Sequence, residues 1–433
     1  MDQPAAAAGA ALRKEIRLRH AVALYVSSVL GSGVLVLPGL TARIAGPASL
    51  VAWALLAVAS YPFAYTFASL SARSPESGGV YAFAREAFGL PIAAVSGWLF
   101  VLWFVTGAPA VMLIAASYVS YAFPLGRGGT FLVAAAVLLA AYAVNRLGIR
   151  MSNRVQVAAT SAIVLLLVCA VAFSAGAVRR DAFSPFLPHG ALAVGTAAAL
   201  IFWSFLGYEN VSNVAEEFRD PRRDFKRSIG LSVGLVGGLY LAVAFVTVGT
   251  RAYDAGGSVA PFAAIFSRVV GRFGAVGTAA LALFIIFSTA NAYTAGMSRV
   301  VLALARDGGL PRGLDHVDAR TGVPDRCLAL LFATALVVLV AYYAFEVNLE
   351  VALLLPSGAA ILVYVVGSAA GIRLLRGSTA DAVFPWVSLG VSLSVLPFVG
   401  RVVAAAVAAG VAGLAYRALR GGGPLLRGRG WGR

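Results

Sequence analysis

The sequence predicts an all-α integral membrane protein with about twelve transmembrane helices. Three observations carry that prediction. Of the 433 residues, 60% are hydrophobic and only 12% are charged, with a mean hydropathy of +0.88. A water-soluble protein of this length has no interior large enough to hide so much apolar surface, so lipid must act as a second solvent. The apolar residues come in runs of membrane-crossing length, about 20 residues each. The basic residues fall in short clusters between those runs, and successive clusters are strongly unequal in size.

Read with that ruler, the chain offers spans near 20–42, 47–71, 91–123, 130–146, 151–177, 191–217, 228–250, 273–304, 327–345, 349–372, 383–399 and 401–418. The last two are short and separated only around Gly400 and Arg401. With the N-terminus in the cytoplasm, 26 of the 34 Lys and Arg residues fall in cytoplasmic segments and eight on the other face. This is the bias that orients membrane proteins. An odd number of spans would scramble it in the second half, so the bias supports an even count. Residues 1–19 then form a cytoplasmic tail, 20–418 a single transmembrane domain and 419–433 a basic cytoplasmic tail. The first apolar run exceeds signal-peptide length and no obvious cleavage site follows, so a cleaved leader is not expected.

Several function classes fit poorly. The formal charge of +16 is spread between apolar runs and forms no continuous basic face, which argues against nucleic acid. Cys169 lies inside an apolar run and Cys327 at the start of another, so neither a disulfide framework nor a metal site is expected. His20, His189 and His316 are far apart, and no metalloprotease or nucleophile–base pattern occurs, which disfavours a membrane enzyme. A channel would show a repeated filter or a ring of charge, and a sensor an output domain. No cofactor is expected.

Two spans carry helix-weakening residues at mid-membrane. The first contains Gly31, Ser32 and Gly33; the sixth contains Gly207, preceded by Trp203, Phe205 and Leu206 and followed by Glu209. Glycines at this depth can unwind a helix, and unwound backbone is tolerated only in protein or against a cavity. A broken helix presents N–H donors on one side and carbonyls on the other. An amino acid zwitterion needs both, and paired breaks in corresponding halves are a device of secondary transporters. Glycine also serves simple packing, as Gly230, Gly234 and Gly238 are expected to do. Glu209 is the one acid placed deep within a span. It is expected to couple protons, the alternative being a structural cap. Val34, Phe205, Leu206 and Gly107 are placed to line an apolar side-chain pocket, and no arginine lies mid-span. A neutral, moderately apolar substrate follows. The sequon at Asn210–Ser212 lies within a span and is set aside.

These residues resemble the amino acid–polyamine–organocation transporter superfamily, of LeuT-type fold. Gly31–Val34 is similar to its first-helix motif, and Pro75–Phe83 with Gly89 to the loop after its second helix. Asn145, Gly148 and Gln156 resemble its fourth-to-fifth connection, and Trp203–Glu209 its sixth helix. Glu216–Phe225 resembles the next cytoplasmic loop, and Ser298–Pro324 the connection from the eighth helix to the ninth. Within the superfamily the stretch Phe202–Arg227 is most similar to bacterial exporters of methionine and branched-chain amino acids.

The resemblance implies a five-plus-five inverted repeat, at about 20–177 and 191–372, with helices 1 and 6 broken and two extra helices at 383–418. It implies secondary active transport of amino acids by alternating access across the cytoplasmic membrane, with export and uptake both open. Backbone at Gly31, Ser32 and Gly33 would receive the substrate carboxylate. Carbonyls near Val29, Trp203 and Leu206 would face the ammonium, and Trp203, Leu206 and Tyr293 would contact or gate the side chain. Some proton-coupled relatives carry a lysine on the fifth helix, where this chain is apolar around Ile163. Ser288 and Thr289 form a candidate sodium site, or bond back to their own helix. The coupling ion therefore stays open between proton and sodium. A homodimer is allowed.

Overall fold

In the computed structural model residues 18–73, 79–148, 153–211, 221–254 and 257–419 are described, and among them every regular element is helical. The first crossing is divided into α1 (Leu18–Val29) and α2 (Gly33–Ala45), and α3 (Ser49–Arg73) returns as the second. A short α4 (Val80–Phe88) leads into α5 (Leu90–Ala122), followed by α6 (Gly126–Arg146) and α7 (Asn153–Ser174). The sixth crossing is also divided: α8 (Gly190–Ile201) passes through a 3-10 turn, Phe202–Phe205, to α9 (Tyr208–Val211). Then come α10 (Pro221–Gly249), a short α11 (Pro261–Val270), α12 (Arg272–Arg306), α13 (Asp325–Ala344) and α14 (Leu349–Leu374). The last pair, α15 (Thr379–Val395) and α16 (Val403–Leu419), is joined by a turn in which Gly400 has φ 72°, a left-handed conformation that lets the chain reverse within seven residues.

Contacts between chain segments fix which helix ends lie together. At one end of the bundle Arg73 Nη1 donates to the Leu374 carbonyl at 2.6 Å, and the Tyr81 hydroxyl to Asp307 Oδ2 at 2.7 Å. Arg146 pairs with Asp318 at 3.2 Å, and Arg417 donates to the Asp307 carbonyl at 3.1 Å, at the same end. At the other end the Ala48 N–H donates to the Phe186 carbonyl at 3.0 Å, Arg268 to the Thr250 carbonyl at 2.8 Å, and Arg127 pairs with Glu346 at 3.4 Å. Among the described residues, alternate connections thus fall at opposite ends, and nine helical stretches are long and apolar enough to cross a membrane. The two broken crossings are the first and the sixth.

Two short helices were not expected. The α4 segment reads as part of a loop in the sequence, and α11 lies between two spans; both are too short for a ruler of about 20 residues. Residues 75–78 and 216–220 of the resembling motifs, and the side chain of Gln156, lie outside what is described, as do the tails 1–17 and 420–433. Asn145 on α6 donates through its amide to Asn291 Oδ1 on α12, and Asn291 in turn donates to the Phe287 carbonyl at 2.7 Å. The amide pair ties α6 to α12 near the end of the bundle where Arg146 meets Asp318.

Candidate substrate site

Helix α1 ends at Val29, residues 30–32 are not helical, and α2 starts at Gly33. The N–H groups that open α2 have no preceding turn to bond to, so the break offers free donors. In the sixth crossing Leu206 is extended, at φ −76° and ψ 151°, and Gly207 takes φ 123°. Side-chain-bearing residues rarely adopt that φ. A Cβ on Gly207 would also stand 2.1 Å from the Ser28 carbonyl oxygen, so backbone of the second break rests directly on the end of α1. A Cβ on Gly33 would stand 2.6 Å from Ser204 Oγ and 2.9 Å from Trp203 Cδ1. The two breaks are therefore in contact on both sides.

One residue from outside the broken helices joins them. The Tyr240 hydroxyl, fully buried on α10, donates to the Val29 carbonyl at 3.0 Å and shares its proton with the Ser204 carbonyl at 3.2 Å. Each is a carbonyl that a continuous helix would have used internally. Nothing in the local sequence around Tyr240 marks this role, because tyrosines are common in these spans.

Between the breaks lies a cavity with about 80 Å³ of room for water centres, several times what one water needs. Of the expected residues, Val29, Gly31, Ser32, Gly33, Gly107 and Trp203 line it, together with Leu206, Thr289 and Tyr293. Val34, Phe205 and Gly207 do not. Val34 is fully buried one residue beyond the cavity wall, and Phe205 turns the other way, its ring packed against Trp53 and Tyr240 at 6.2 and 5.4 Å. Gly207 serves the close backbone contact just described. Residues not expected here are Ser204, Phe332 on α13, Thr294 and Met297 on α12, and Trp103, Phe104, Ala108, Val111 and Met112 of α5. The apolar α5 run is uniform in sequence, and nothing in it marks the face that meets the cavity.

A larger space, about 670 Å³ for water centres, lies beside the first. Arg85, Arg299, Arg306 and Asp307 line it, which places its mouth at the end of the bundle where Arg73 meets Leu374. Tyr293 and Met297 border both spaces and form the partition between them. Towards the opposite end α2 is held closely against α5 and the segment before α11. The Tyr118 hydroxyl donates to the Leu35 carbonyl at 2.6 Å, and a Cβ on Gly39 would stand 2.6 Å from the Ser258 carbonyl oxygen.

Glu209 is 6% exposed and lies at the head of this vestibule, outside the smaller cavity. Its Oε2 accepts from the Gly207 N–H at 2.9 Å and from the Tyr364 hydroxyl at 2.5 Å, while Oε1 has no partner among the described residues. Tyr364 on α14 is wedged edge-on against Phe63, Phe67 and Phe202 at 4.7 to 5.3 Å. At the candidate sodium site the Thr289 hydroxyl donates to the Ile285 carbonyl of its own helix at 2.9 Å, and Ser288 is buried.

A helical membrane protein broken at its first and sixth crossings around a shared cavity is a membrane carrier of LeuT type. The amino acid permease family model matches residues 16–405, and the chain belongs to that family, within the amino acid–polyamine–organocation superfamily. It is 37% identical over 364 residues to the uncharacterized amino acid permease YecA of Bacillus subtilis (strain 168), covering 84% of this chain and 86% of that protein. It is 31% identical over 376 residues to the L-methionine/branched-chain amino acid exporter YjeH of Escherichia coli (strain K12), covering 84% and 87%. To the mitochondrial cationic amino acid transporter 3 of Arabidopsis thaliana it is 28% identical over 335 residues, covering 72% and 55%. The chain is a multi-pass amino acid transporter and not an enzyme.

Proposed function

We propose that this transporter carries neutral amino acids outward across the cytoplasmic membrane by alternating access, coupled to protons through Glu209, with both termini in the cytoplasm. The observation that carries the reading is the division of labour between the two spaces. The cavity between the breaks is bordered, among the described residues, by apolar and hydroxyl side chains and by no Asp, Glu, Lys or Arg. A cationic or anionic side chain would lose water there without gaining a partner. Its zwitterionic end has the α2 N–H groups for the carboxylate and open backbone for the ammonium. The Val29 and Ser204 carbonyls each accept from Tyr240 and keep a second lone pair for an ammonium.

The ionisable group sits outside that cavity, facing the vestibule. The carboxyl borders the vestibule while its Oε1 is buried and has no partner among the described residues, so a change in the water beside it between conformations would change its protonation, which is what a coupling proton requires. The arginine-lined vestibule opens at the end that the charge bias assigns to the cytoplasm, and the exporter relative supports the outward direction.

The test is Glu209→Gln in proteoliposomes. Amino acid exchange should persist, and the response to an imposed pH gradient should vanish. Unchanged pH-driven accumulation would remove Glu209 from coupling. Sensitivity to a sodium gradient with none to pH would reassign the ion. Stronger displacement of label by arginine or glutamate than by leucine and methionine would overturn the neutral substrate.

A further inference from the structure

We infer that the cavity has a second lobe, between α5, α12 and α13, that takes a long aliphatic or thioether side chain of the substrate, with Phe332 setting its depth. This rests on the amino acid reading above and adds to it the site that ranks one neutral amino acid over another.

The α5 residues that border the cavity form two stripes. Trp103, Gly107 and Val111 recur every fourth residue, and Phe104, Ala108 and Met112 follow one position later. One residue is about 100° of turn on a helix with 3.6 residues per turn. The first stripe meets the second break: a Cβ on Gly107 would stand 3.0 Å from Trp203 Cη2, and the Trp103 and Trp203 rings meet edge-on at 6.4 Å. The second stripe meets α13, where the Phe104 ring stands edge-on to Phe332 at 5.5 Å. At each turn the cavity therefore borders about 100° of α5, from the side of the second break to the side of α13. Gly107 and Ala108 are the smallest residues at that corner and form its throat.

Beyond the throat the walls are Met112 from α5, Met297 from α12, and the rings of Phe104 and Phe332. Thr294 also borders the cavity, but its hydroxyl proton is spent on the Ala290 carbonyl at 2.7 Å. A polar side chain entering here would find one acceptor, Thr294 Oγ1, and no side-chain donor free among these walls, and would be desolvated with little compensation. An apolar one gains about fourfold in affinity per buried methylene. Thioethers and ring edges also suit a sulfur-containing chain. The end wall is fixed, because Tyr142 on α6 packs against Phe332 at 5.4 Å. Phe332 lies on a helix without a break, and its sequence surroundings are those of an ordinary apolar span.

The experiment compares exchange of alanine, leucine, methionine and phenylalanine in vesicles carrying the full chain, as ratios within each preparation so that the amount of folded protein cancels. Ala108→Leu should block the throat and lower the methionine-to-alanine ratio at least tenfold. Phe332→Ala should deepen the lobe and raise the phenylalanine-to-methionine ratio at least fivefold. If Ala108→Leu yields no active protein, the Phe332→Ala ratio decides. Ratios within twofold of wild type in the active variants would overturn the second lobe while leaving neutral amino acid transport standing. Wild-type vesicles that exchange none of the four would overturn both readings together.

Discussion

At the first break the chain passes from α1 to α2 through three residues, and a Cβ on Gly31 would stand 3.5 Å from Thr289 Cγ2, an ordinary contact. At the second break the chain passes through Leu206 and Gly207, and a Cβ on Gly207 would stand 2.1 Å from the Ser28 carbonyl oxygen. Both breaks expose backbone to the same cavity. The first has room at Gly31, although Gly33 at the start of α2 stands against Ser204 and Trp203; the second is pressed against the end of α1 at Gly207 and carries the ionisable group two residues later. The difference teaches that a helix can be interrupted for two reasons. One is to present donors, which tolerates small changes in side chain. The other is to let two backbones touch, which does not.

The largest effect expected from this contrast is at Gly207. Gly207→Ala meets backbone that cannot swing away, at a φ of 123° that costs about 1–3 kcal/mol by itself for a residue with a Cβ. Amino acid exchange should fall more than tenfold, with a lowered thermal transition in detergent. Near-normal exchange would mean that the second break is as roomy as the first.

The sequence displayed the two breaks together with their glycines, and Glu209 as a lone acid in a span. Twelve runs of lipid-crossing length and unequal basic clusters made the architecture legible, because lipid forces both features into the composition of every segment. Most of the cavity wall was not legible. Phe332 and the α5 stripes lie in runs that are apolar on every side, so periodicity marks no face there. Phe205 misled for a related reason: its neighbours Trp203 and Leu206 border the cavity, but the 3-10 turn at Phe202–Phe205 sends its ring to Trp53 instead. The short helices α4 and α11 fall below the length on which a span is recognised.

A middle effect is expected where the two breaks are tied. Tyr240→Phe keeps the ring, which packs edge-on to Trp53 and Phe205 at 5.5 and 5.4 Å, and removes only the hydroxyl. The Val29 and Ser204 carbonyls then lose a donor in a buried setting, at a cost of about 1–3 kcal/mol. If the tyrosine holds the breaks in register, substrate affinity should weaken about tenfold while the maximal exchange rate changes less. An equal loss in rate and affinity would point to general loosening of the bundle, and no change would show that the breaks hold each other without it.

The smallest effect should come from Gly31→Ala, and it bears most directly on the comparison. Gly31 and Gly207 look alike in sequence, as mid-membrane glycines beside polar residues. At Gly31 the added methyl meets only the end of a threonine side chain at ordinary contact distance, and no left-handed conformation is demanded. The backbone N–H groups opening α2, which the substrate carboxylate would use, remain as they were. Exchange should therefore stay within about threefold of wild type and the thermal transition should hardly move, since a substitution without clash or strain usually stays within about 0.5 kcal/mol. The same methyl narrows the cavity slightly, so whatever loss appears should fall on substrate affinity rather than on stability. A collapse of stability as large as that of Gly207→Ala would show that Gly31 too is held by backbone contact, and the distinction between a break that presents donors and a break that joins two helices would not stand.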